Sequence, residues 1–489
     1  MTVKADSSDT PARLPSEHPT VSFWHSEPSE FLLGHHTTPE LPECADIVII
    51  GSGITGTSIA RFLADDSRSD GKSIVMLEAR EACWGATGRN GGHCQPLLFD
   101  RTPEIAEFEL ANIAAVKSYI EANEIPCEWR SVTGCRSFWS EEIMSMAERA
   151  VAALKKARPD IGKLITITRD PEIMKQHRIQ GAVGITLTEG AGQLWPYKYV
   201  AYILEKLIKN GRLNLQVKTT VTAIEQIPTT MLGDAQGARY VVQTRSGNIR
   251  ARHVALATNG YTSHLLPEFT DLIVPCRGEM SALLPPEGSS RLPNSYGFQG
   301  AKGHNINHDE YLVQRPFQDV PNPAGHLMFG GGRGVEKEES LGLDDDSVID
   351  EDAAKYLRKT LLESLILGGN AKDLKELKAT HEWTGIMGYS RDDTPWVGPI
   401  PDNPGLWLAG GYTGHGMPNG TLCGKALANM ILTWEEGLDL ENTEDLHRAG
   451  GEMPRSYLVT TERLKQARNM PTVMESDRLG LFRLYVGSA

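Results

Sequence analysis

The clearest pattern of apolar and polar positions predicts a strand, a helix and a second strand near the N-terminal end of the chain. The first strand is the apolar run Ile47–Ile50, the helix begins at Ile54, and the second strand is Ile74–Leu77. Within the helix, Ile59 and Leu63 are one helical turn apart and therefore share one buried face. Two apolar strands that flank such a helix are typical of a βαβ unit in a parallel sheet.

The same patterns predict elements along the rest of the chain. Helices are predicted from Thr102 through Tyr119, over Glu141–Arg158, from Trp195 to Lys209, over Asp350–Leu367 and from Asn419 onward. Branched residues predict strands in 214–227, a hairpin that turns at Arg245–Asn248, buried strands at Val254–Thr258 and Leu406–Ala409, and an antiparallel sheet over 275–333. Residues 1–40 show no sustained period, so we expect an irregular arm in which Val21–Trp24 packs on the body.

Length and charge limit the possible functions. The 489 residues suit two domains, and 49 basic against 63 acidic residues give a net charge of −14. This charge argues against nucleic acid and anionic membranes as partners. No apolar run approaches the roughly 20 residues that span a bilayer, and the N-terminus lacks the apolar core of a signal peptide, so a cytoplasmic location is predicted. The oligomeric state is left open.

The positions of the cysteines bear on disulfide bonds and metal sites. The seven cysteines are scattered, and no pair has the C-x-x-C spacing. A disulfide framework or a zinc site is therefore not expected, and we predict reduced thiols and no bound metal.

The turn between the first strand and the helix carries candidate chemistry. Gly51, Gly53 and Gly56 form G-x-G-x-x-G, which suits a tight turn, a close approach of the backbone to a pyrophosphate, and close packing of helix on strand. The phosphates would lie at the N-terminus of the helix. Glu78 ends the second strand, 22 residues after Gly56, where its carboxylate can accept hydrogen bonds from ribose hydroxyls. A dinucleotide site is predicted.

A second glycine loop and a C-terminal signature indicate which dinucleotide binds. The loop GATGRNGG, residues 85–92, lets backbone pass close to a flat ring system, and the sequence GGYTGHG, residues 410–416, joins the strand Leu406–Ala409 to the last predicted helix. In these motifs the chain resembles the D-amino-acid oxidase superfamily of FAD enzymes, which includes glycine oxidase and sarcosine oxidase. The GATGRNGG loop is most similar to the γ-glutamylputrescine oxidase-like branch.

The resemblance implies a fold of class α/β (α+β), with a discontinuous Rossmann-like FAD-binding domain and a substrate domain that has a mostly antiparallel sheet. We expect the FAD-binding domain in residues 41–110, 195–274 and 381–435, the substrate domain in 111–194 and 275–380, the irregular arm in 1–40, and a C-terminal extension in 436–489. The positive N-terminal end of the last predicted helix would stabilise the negative charge of a reduced flavin.

The resemblance also implies which residues bind FAD. Val221 would offer backbone bonds to adenine, and Thr258–Gly260 would approach the pyrophosphate. FAD is expected to be non-covalent, because the segment matching Trp383–Tyr389, where sarcosine oxidases attach flavin, has no cysteine. The full predicted set is Gly51, Gly53, Ile54, Thr55, Gly56, Glu78, Ala79, Arg80, Gly85, Ala86, Thr87, Gly88, Arg89, Asn90, Gly91, Gly92, His93, Val221, Thr258, Asn259, Gly260, Gly385, Gly411, Tyr412, Gly414, His415, Gly416 and Met417.

Candidate catalytic residues are few, because amine oxidation by flavin needs a positioned neutral amine and no protein nucleophile. His415 could contact the flavin or help to keep a substrate amine unprotonated, or it could only fix the turn by a hydrogen bond. Trp383 and Tyr389 could form walls of the substrate pocket, or they could be core aromatics.

Three departures from the family concern the substrate and the electron acceptor. Met387 occupies the position of the carboxylate-binding arginine of glycine oxidase, and Met417–Asn419 replaces the carboxylate-binding lysine of sarcosine oxidase. Because methionine cannot pair with a carboxylate, neutral or cationic amines are the expected substrates. Met328 lies near the position of the oxygen-activating lysine, so O2 is a possible rather than a required acceptor.

The predicted function is oxidation of a C–N bond in an amine or N-substituted amine by hydride transfer to FAD, after which the imine is hydrolysed. An oxidase is favoured over a dehydrogenase. One alternative is an amino-acid oxidase or dehydrogenase that holds its carboxylate with other residues, such as Arg89 or Arg315. A second is a flavin-binding protein without turnover.

Overall fold

The computed structural model describes residues 10–228, 237–300, 309–317, 325–335, 340–437 and 439–475. The strands in these ranges are β1 (Cys44–Ile50), β2 (Ile74–Leu77), β3 (His93–Cys94), β4 (Arg130–Phe138), β5 (Ile165–Thr168), β6 (Gly184–Gln193), β7 (Asn214–Gln216), β8 (Val221–Gln226), β9 (Tyr240–Thr244), β10 (Gly247–Leu256), β11 (Ile273–Leu283), β12 (Ser295–Gln299), β13 (Asp309–Gln314), β14 (Leu327–Gly331), β15 (Ala379–Ser390), β16 (Trp396–Pro399) and β17 (Leu406–Gly410).

The helices in the same ranges are α1 (Ile54–Ala64), α2 (Pro103–Ala122), α3 (Glu141–Ala157), α4 (Pro159–Gly162), α5 (Pro171–Gln176), α6 (Pro196–Lys209), α7 (Thr262–Leu265), α8 (Glu351–Ser364), α9 (Gly420–Glu435), α10 (Thr443–Gly450) and α11 (Thr461–Arg468).

The first sheet contains the predicted βαβ unit. Its strands run in the order β16-β17-β10-β1-β2-β7, and the hairpin β8-β9 joins at β10. The pairs β17–β10, β10–β1, β1–β2 and β2–β7 are all parallel. The carboxyl ends of these strands therefore lie at one edge of the sheet, where ligands of open α/β sheets bind.

The second sheet is mostly antiparallel. Its order is β15-β11-β14-β13-β12-β4-β6-β3, with β5 beside β6, and only the pair β12–β4 is parallel among the described strands. The long central pair β11–β15 runs in continuous register from Ile273 and Ser390 to Ala282 and His381. The predicted fold class, a parallel nucleotide-binding sheet with a second antiparallel sheet, is confirmed.

Helix ends follow local chemistry that the sequence already displayed. At the start of α2, the Thr102 hydroxyl accepts a hydrogen bond from the backbone N–H of Ile105, and Pro103 occupies the first helical position. At the start of α8, Asp350 accepts from the N–H groups of Asp352 and Ala353. These caps explain why both helix starts could be predicted to within one residue.

Helix α1 packs between the first sheet and α9. Ile59 and Leu63 are fully buried in the core, as their shared face predicted. A Cβ atom added to Gly424 of α9 would lie 2.7 Å from the Ser58 Cβ of α1, so the two helices are in close contact. Both helices point their N-terminal ends toward the same edge of the sheet, because each follows a parallel strand through a glycine turn.

The described part of the N-terminal arm is irregular but well anchored. The Ala12 backbone N–H donates to the Ser263 hydroxyl at 2.9 Å, and the Thr20 N–H donates to the Asp346 carbonyl at 2.8 Å. Further along, Trp24 is buried, as is its neighbour Phe23 in a short 3-10 turn. The prediction that Val21–Trp24 packs on the body therefore holds for the aromatic pair, whereas Val21 is 71% exposed.

Two predicted elements differ from the structure. The buried strand placed at Val254–Thr258 is the second half of β10, which begins at Gly247 and ends at Leu256, because one continuous strand pairs with the hairpin at its start and with β1 along its length. The segment around Trp383, assigned by resemblance to the FAD-binding domain, lies in β15 and pairs with β11 of the second sheet. The proposed domain boundaries as a whole stay a prediction.

Two smaller differences concern the residues at which helices end or begin. Helix α8 ends at Ser364, three residues before the predicted Leu367, and Pro159 starts the short helix α4 after ending α3. All seven cysteines are free thiols. Among the described helices, none combines the length and apolar content needed to cross a bilayer, and the same residues contain no cluster of side chains suited to a metal ion.

Candidate active site

A long cavity lies between the two sheets, at the carboxyl ends of the parallel strands. One wall consists of residues that follow β1, β2, β10 and β17. The opposite wall consists of residues from β11, β12, β13, β14 and β15, with β3, β4 and β6 at one end. The cavity therefore joins the predicted dinucleotide site to the second sheet.

The first glycine turn forms the start of this cavity. Gly51 has φ +104°, and a Cβ there would lie 2.7 Å from the Ala257 carbonyl oxygen. Gly53 occupies the N-cap position of α1 without a side chain, and a Cβ there would lie 3.0 Å from the Thr87 hydroxyl. The positive end of the α1 dipole thus faces the cavity, an arrangement that binds phosphate groups.

Glu78 lies on the wall beside this turn. Its Oε2 accepts hydrogen bonds from the Ser52 backbone N–H at 3.0 Å and from the Ser52 hydroxyl at 2.6 Å. Its Oε1 accepts one bond, from the Arg80 N–H at 2.9 Å. Because a carboxylate oxygen can accept two bonds, Oε1 retains capacity for a ribose hydroxyl.

Two arginines on the same side are bound by other protein groups. The Arg80 guanidinium donates two hydrogen bonds of 2.8 Å to the buried carboxylate of Asp346. Arg89 donates to the carbonyl oxygens of Thr384 and Thr20, both at 2.5 Å, and lies 3.4 Å from Asp346. Burial lowers the pKa of Arg89 to about 10. These guanidinium groups stabilise the cavity wall.

The N-terminal arm covers part of the cavity. Leu14 and Pro15 lie on its wall. The preceding residue, Arg13, donates through its side-chain Nε to the carboxylate of Asp344 at 2.7 Å and through its backbone N–H at 2.5 Å. A ligand in this part of the cavity would therefore be enclosed by the arm.

The turn after β17 contributes another part of the wall. The hydroxyls of Tyr412 and Thr55 are 2.8 Å apart, which ties the turn to α1. His415 lies on the cavity, and burial holds its pKa well below the usual range, with further lowering by the charges of Arg101 and Arg136. Its imidazole is therefore neutral at physiological pH and can accept or donate a hydrogen bond.

The second sheet supplies the opposite wall. Tyr389 and Met387 of β15 face the cavity, and the guanidinium of Arg333 lies 5.3 Å from the Tyr389 ring centre. The Tyr311 hydroxyl accepts a hydrogen bond from the Gly91 backbone N–H at 2.9 Å. This wall is aromatic and apolar with a few polar groups, as in many small-molecule sites.

The structure brings most of the predicted site residues to this one cavity. The catalytic candidates His415 and Tyr389 line it. So do Gly51, Gly53, Ile54, Thr55, Glu78, Ala79, Arg80, Gly85, Ala86, Thr87, Arg89, Asn90, His93, Val221, Thr258, Asn259, Gly385, Tyr412, Gly414, Gly416 and Met417.

Several predicted cofactor-contacting glycines lie behind the wall instead. A Cβ at Gly56 would lie 1.9 Å from the Gly51 carbonyl oxygen, and one at Gly260 would lie 2.5 Å from the Met387 carbonyl oxygen. Their role in the structure is close packing of the chain segments that shape the cavity. The residues placed in this way are Gly56, Gly88, Gly91, Gly92, Gly260 and Gly411.

Three other residues named from the sequence lie off the cavity. Trp383 is fully buried away from the cavity, and its indole N–H donates to the Arg89 carbonyl at 2.7 Å, so it supports the glycine loop. Arg315 lies off the cavity and pairs with Glu128 at 2.6 Å, which makes it unsuitable as a substrate anchor. Met328 is buried in β14 and also lies off the cavity.

Sequence reasoning missed residues that come from distant segments. Arg136 reaches the cavity from β4, which was not predicted as a strand, and Tyr296 from β12, which lies within the predicted sheet over 275–333. Leu14 belongs to a segment with no period at all. Branched and aromatic residues in 130–138 could have indicated β4, but no signal in the sequence places the arm over the cavity.

Comparison with known proteins identifies the family of this chain. The model of the FAD dependent oxidoreductase family (DAO) matches residues 46–430, which is most of the chain. The chain belongs to this family. Its members are FAD-binding flavoproteins, and the glycine turn, Glu78 and the enclosed cavity fit that cofactor.

Curated relatives are distant but cover most of both chains. The probable oxidoreductase OrdL of Rhizobium meliloti is 26% identical over 409 residues, which cover 81% of this chain and 85% of that protein. The gamma-glutamylputrescine oxidoreductase of Escherichia coli is 22% identical over 409 residues, which cover 79% of this chain and 83% of that protein. The predicted resemblance to this branch is confirmed at the level of the family.

Solved structures of the family share the fold. L-proline dehydrogenase from P. horikoshii superposes with a TM-score of 0.64 at 19% identity and covers 83% of this chain and 98% of its own. Glycine oxidase from Geobacillus kaustophilus superposes with a TM-score of 0.61 at 18% identity and covers 80% and 95%, respectively. The chain is therefore an enzyme of the FAD-dependent oxidoreductase family and has the fold of these structures.

Proposed function

We propose that this enzyme oxidises the C–N bond of an amine or N-substituted amine, and that water then hydrolyses the imine to a carbonyl compound and an amine or ammonia. FAD, when bound, accepts the hydride from the carbon of the C–N bond. The observation that carries the proposal is the meeting, in one enclosed cavity, of the dinucleotide turn, the neutral His415 and the aromatic wall of the second sheet.

The residues of the chain support three parts of this reaction. The N-terminal end of α9 provides positive partial charge beside the turn, which favours the accumulation of negative charge there. His415 is neutral, so it can hold a hydrogen bond to a substrate amine without adding a repelling charge. Tyr389 and Met387 line the cavity and would shield a bound substrate from water.

The names of related proteins favour nitrogen compounds as substrates. Relatives of similar sequence or fold include a gamma-glutamylputrescine oxidoreductase, glycine oxidases, an L-amino acid deaminase and an L-proline dehydrogenase. We therefore place the substrate among amines and amino compounds and propose O2 as the electron acceptor. An enzyme that is reduced by substrate but is not reoxidised by air would be a dehydrogenase.

The test is anaerobic titration of the purified yellow protein with a panel of primary and N-methyl amines, with and without carboxylates. Turnover of any of them bleaches the flavin band near ~450 nm, and the aldehyde, ketone or keto acid product identifies the bond that was broken. Complete resistance of the flavin to the whole panel, in protein that dithionite still reduces, would favour a flavin-binding protein without turnover.

We also propose that FAD is held without a covalent bond. Cys94 and Cys423 are buried, and burial raises the pKa of both thiols far above the usual range, so neither is a thiolate at neutral pH. Acid precipitation should release the yellow colour into the supernatant, and flavin that stays with the precipitated chain would contradict this expectation.

A further inference from the structure

Arg136 is an arginine on the substrate side of the cavity whose donors are mostly unused. It lies on β4 opposite Gly297 of β12, and a Cβ at that glycine would lie 3.5 Å from the Arg136 Cγ. The glycine therefore leaves the stem of the arginine uncovered toward the cavity. The guanidinium lies 5.1 Å from the Phe99 ring centre, and its Nη1 donates to the buried carboxylate of Asp100 at 2.5 Å.

The hydrogen bonds of Arg136 contrast with those of the other arginines described above. An arginine has five N–H donors in a planar fork. Arg80 and Arg89 direct theirs to Asp346 and to backbone carbonyls. Arg136 makes one hydrogen bond, to Asp100, and no other within the described part of the chain, while its side chain lines the cavity. A fork of this kind matches the two oxygens of a carboxylate.

The charge around Arg136 also favours an anion. His93 and His415 lie near it, and burial lowers the pKa of His93 to about 4, so both imidazoles are neutral. Arg101 and Arg136 both lower the pKa of His415 further. Asp100 and Glu109 offset part of this positive charge, so the attraction for an anion depends on the donors of Arg136 that remain available at the cavity.

We infer that Arg136 binds an anionic group of the substrate, so that the amine oxidised here also carries a carboxylate or a similar anion. This inference rests on the proposed function and replaces the expectation, based on Met387, that neutral amines are preferred. The amine would react at the end lined by His415 while Arg136 holds the anion. Asp100 is a positioning residue: it orients the guanidinium of Arg136, which binds Asp100 and the substrate anion at the same time.

The experiment compares two small ligands that differ in charge, propionate and propionamide, binding to FAD-loaded enzyme. Calorimetry measures binding without turnover and without an assumption about the position of the flavin. We expect wild type to bind propionate more tightly than propionamide. Arg136→Gln should weaken propionate binding about tenfold or more and leave propionamide unchanged, because only the carboxylate uses the fork. Arg136→Lys should restore part of the loss, since it keeps the charge.

Asp100→Asn should change the affinity for propionate in the opposite direction. Without the competing carboxylate, Arg136 is free to bind an external anion, so propionate binding should tighten about threefold or more. A purely structural pair would give no tightening. If Arg136→Gln does not fold, because a buried carboxylate has lost its ion pair with Arg136, the double variant Asp100→Asn/Arg136→Gln removes both charges and should show the same loss of propionate binding.

Arg333→Gln is the matched control, because Arg333 is another arginine on the cavity wall. Loss of propionate binding in Arg333→Gln but not in Arg136→Gln would overturn the inference. So would undetectable binding to wild type, or release of FAD from folded Arg136→Gln, which would assign Arg136 to the cofactor.

The outcome is separable from that of the proposed function. If amines bleach the flavin but propionate binding does not depend on Arg136, the proposed function is supported and the anion site is rejected. If propionate binding depends on Arg136 but no amine bleaches the flavin, the anion site is supported and the oxidation of amines is rejected.

Discussion

The two ends of the cavity are built in different ways. At the dinucleotide end, backbone turns and a helix terminus shape the site, and charged side chains such as Arg80 and Asp346 neutralise one another. At the substrate end, side chains from separate strands converge, and Arg136 and His415 retain hydrogen-bonding capacity toward the cavity. Backbone geometry therefore serves the part that all members of the family share, whereas side chains serve the part that differs between substrates.

The difference predicts how each end responds to change. Shape at the dinucleotide end depends on atoms that cannot move without unfolding the sheet, so small volume changes there should be severe. At the substrate end, a changed side chain alters which ligand binds and leaves the fold in place.

The largest effect is expected for Gly56→Val at the dinucleotide end. A Cβ at this position would lie 1.9 Å from a backbone oxygen, so the first strand and α1 must separate. We expect a loss of about 3 kcal/mol in the free energy of unfolding and colourless protein. Urea denaturation and the flavin absorbance of the purified protein measure the two consequences.

The matched control is Gly71→Ala, in the loop between α1 and β2. Gly71 has φ +78°, and an added Cβ meets no atom within 4 Å. It should cost about 1–2 kcal/mol for the left-handed conformation and keep its FAD. Equal loss of FAD in both variants would show that backbone shape at Gly56 has no special role.

The second effect concerns the closure of the dinucleotide end by the arm. Arg13→Ala removes the ion pair with Asp344, which holds the segment next to Leu14 and Pro15. We expect the Kd for FAD to rise about tenfold, or about 1.4 kcal/mol, measured by recovery of flavin fluorescence on dilution. Substrate preference should stay unchanged.

Glu27→Gln serves as the control for the arm. Glu27 lies on the same arm but off the cavity, and the substitution breaks its 2.5 Å ion pair with Lys198 of α6. FAD affinity equal to wild type is expected. An equal rise of the Kd in both variants would mean that any loosening of the arm acts on the fold and that Arg13 does not specifically close the cavity.

The smallest effect concerns the pH dependence of stability, which we expect to depend on His93 at the substrate end. Burial lowers the pKa of His93 from 6.5 to about 4, so between these values the unfolded chain binds a proton that the folded protein does not. Stability is therefore lost as the pH falls through this window, by about 1 kcal/mol between pH 6.5 and 5.5. His93→Gln should remove this part of the pH dependence in denaturation experiments.

The sequence predicts the dinucleotide end of the cavity better than it predicts the substrate end. The glycine turn, Glu78 and the GGYTGHG turn each follow a short apolar run directly, and this local pattern placed each of them at the end of a strand. A parallel sheet forces such ends together, so local pattern was sufficient. The helix caps at Thr102 and Asp350 were predictable for the same local reason.

The substrate end was not predictable in this way. Arg136 reaches the cavity because β4 pairs with β12, about 160 residues later in the chain, and pairing over such a distance leaves no periodic signal. Alignment of Met387 with a family arginine indicated a cavity without a cation, yet Arg136 and Arg333 both line it. An arginine that is absent from one strand of the cavity can be replaced by an arginine on another strand. Only the folded structure shows where that second arginine lies.

The arm has a consequence for the order in which the enzyme is assembled. During synthesis, residues 10–20 leave the ribosome long before their anchors Asp344, Asp346 and Thr384 have been made. The segment beside Leu14 and Pro15 therefore takes its place only after these anchors exist. We expect an interval in which the arm does not yet cover this part of the cavity.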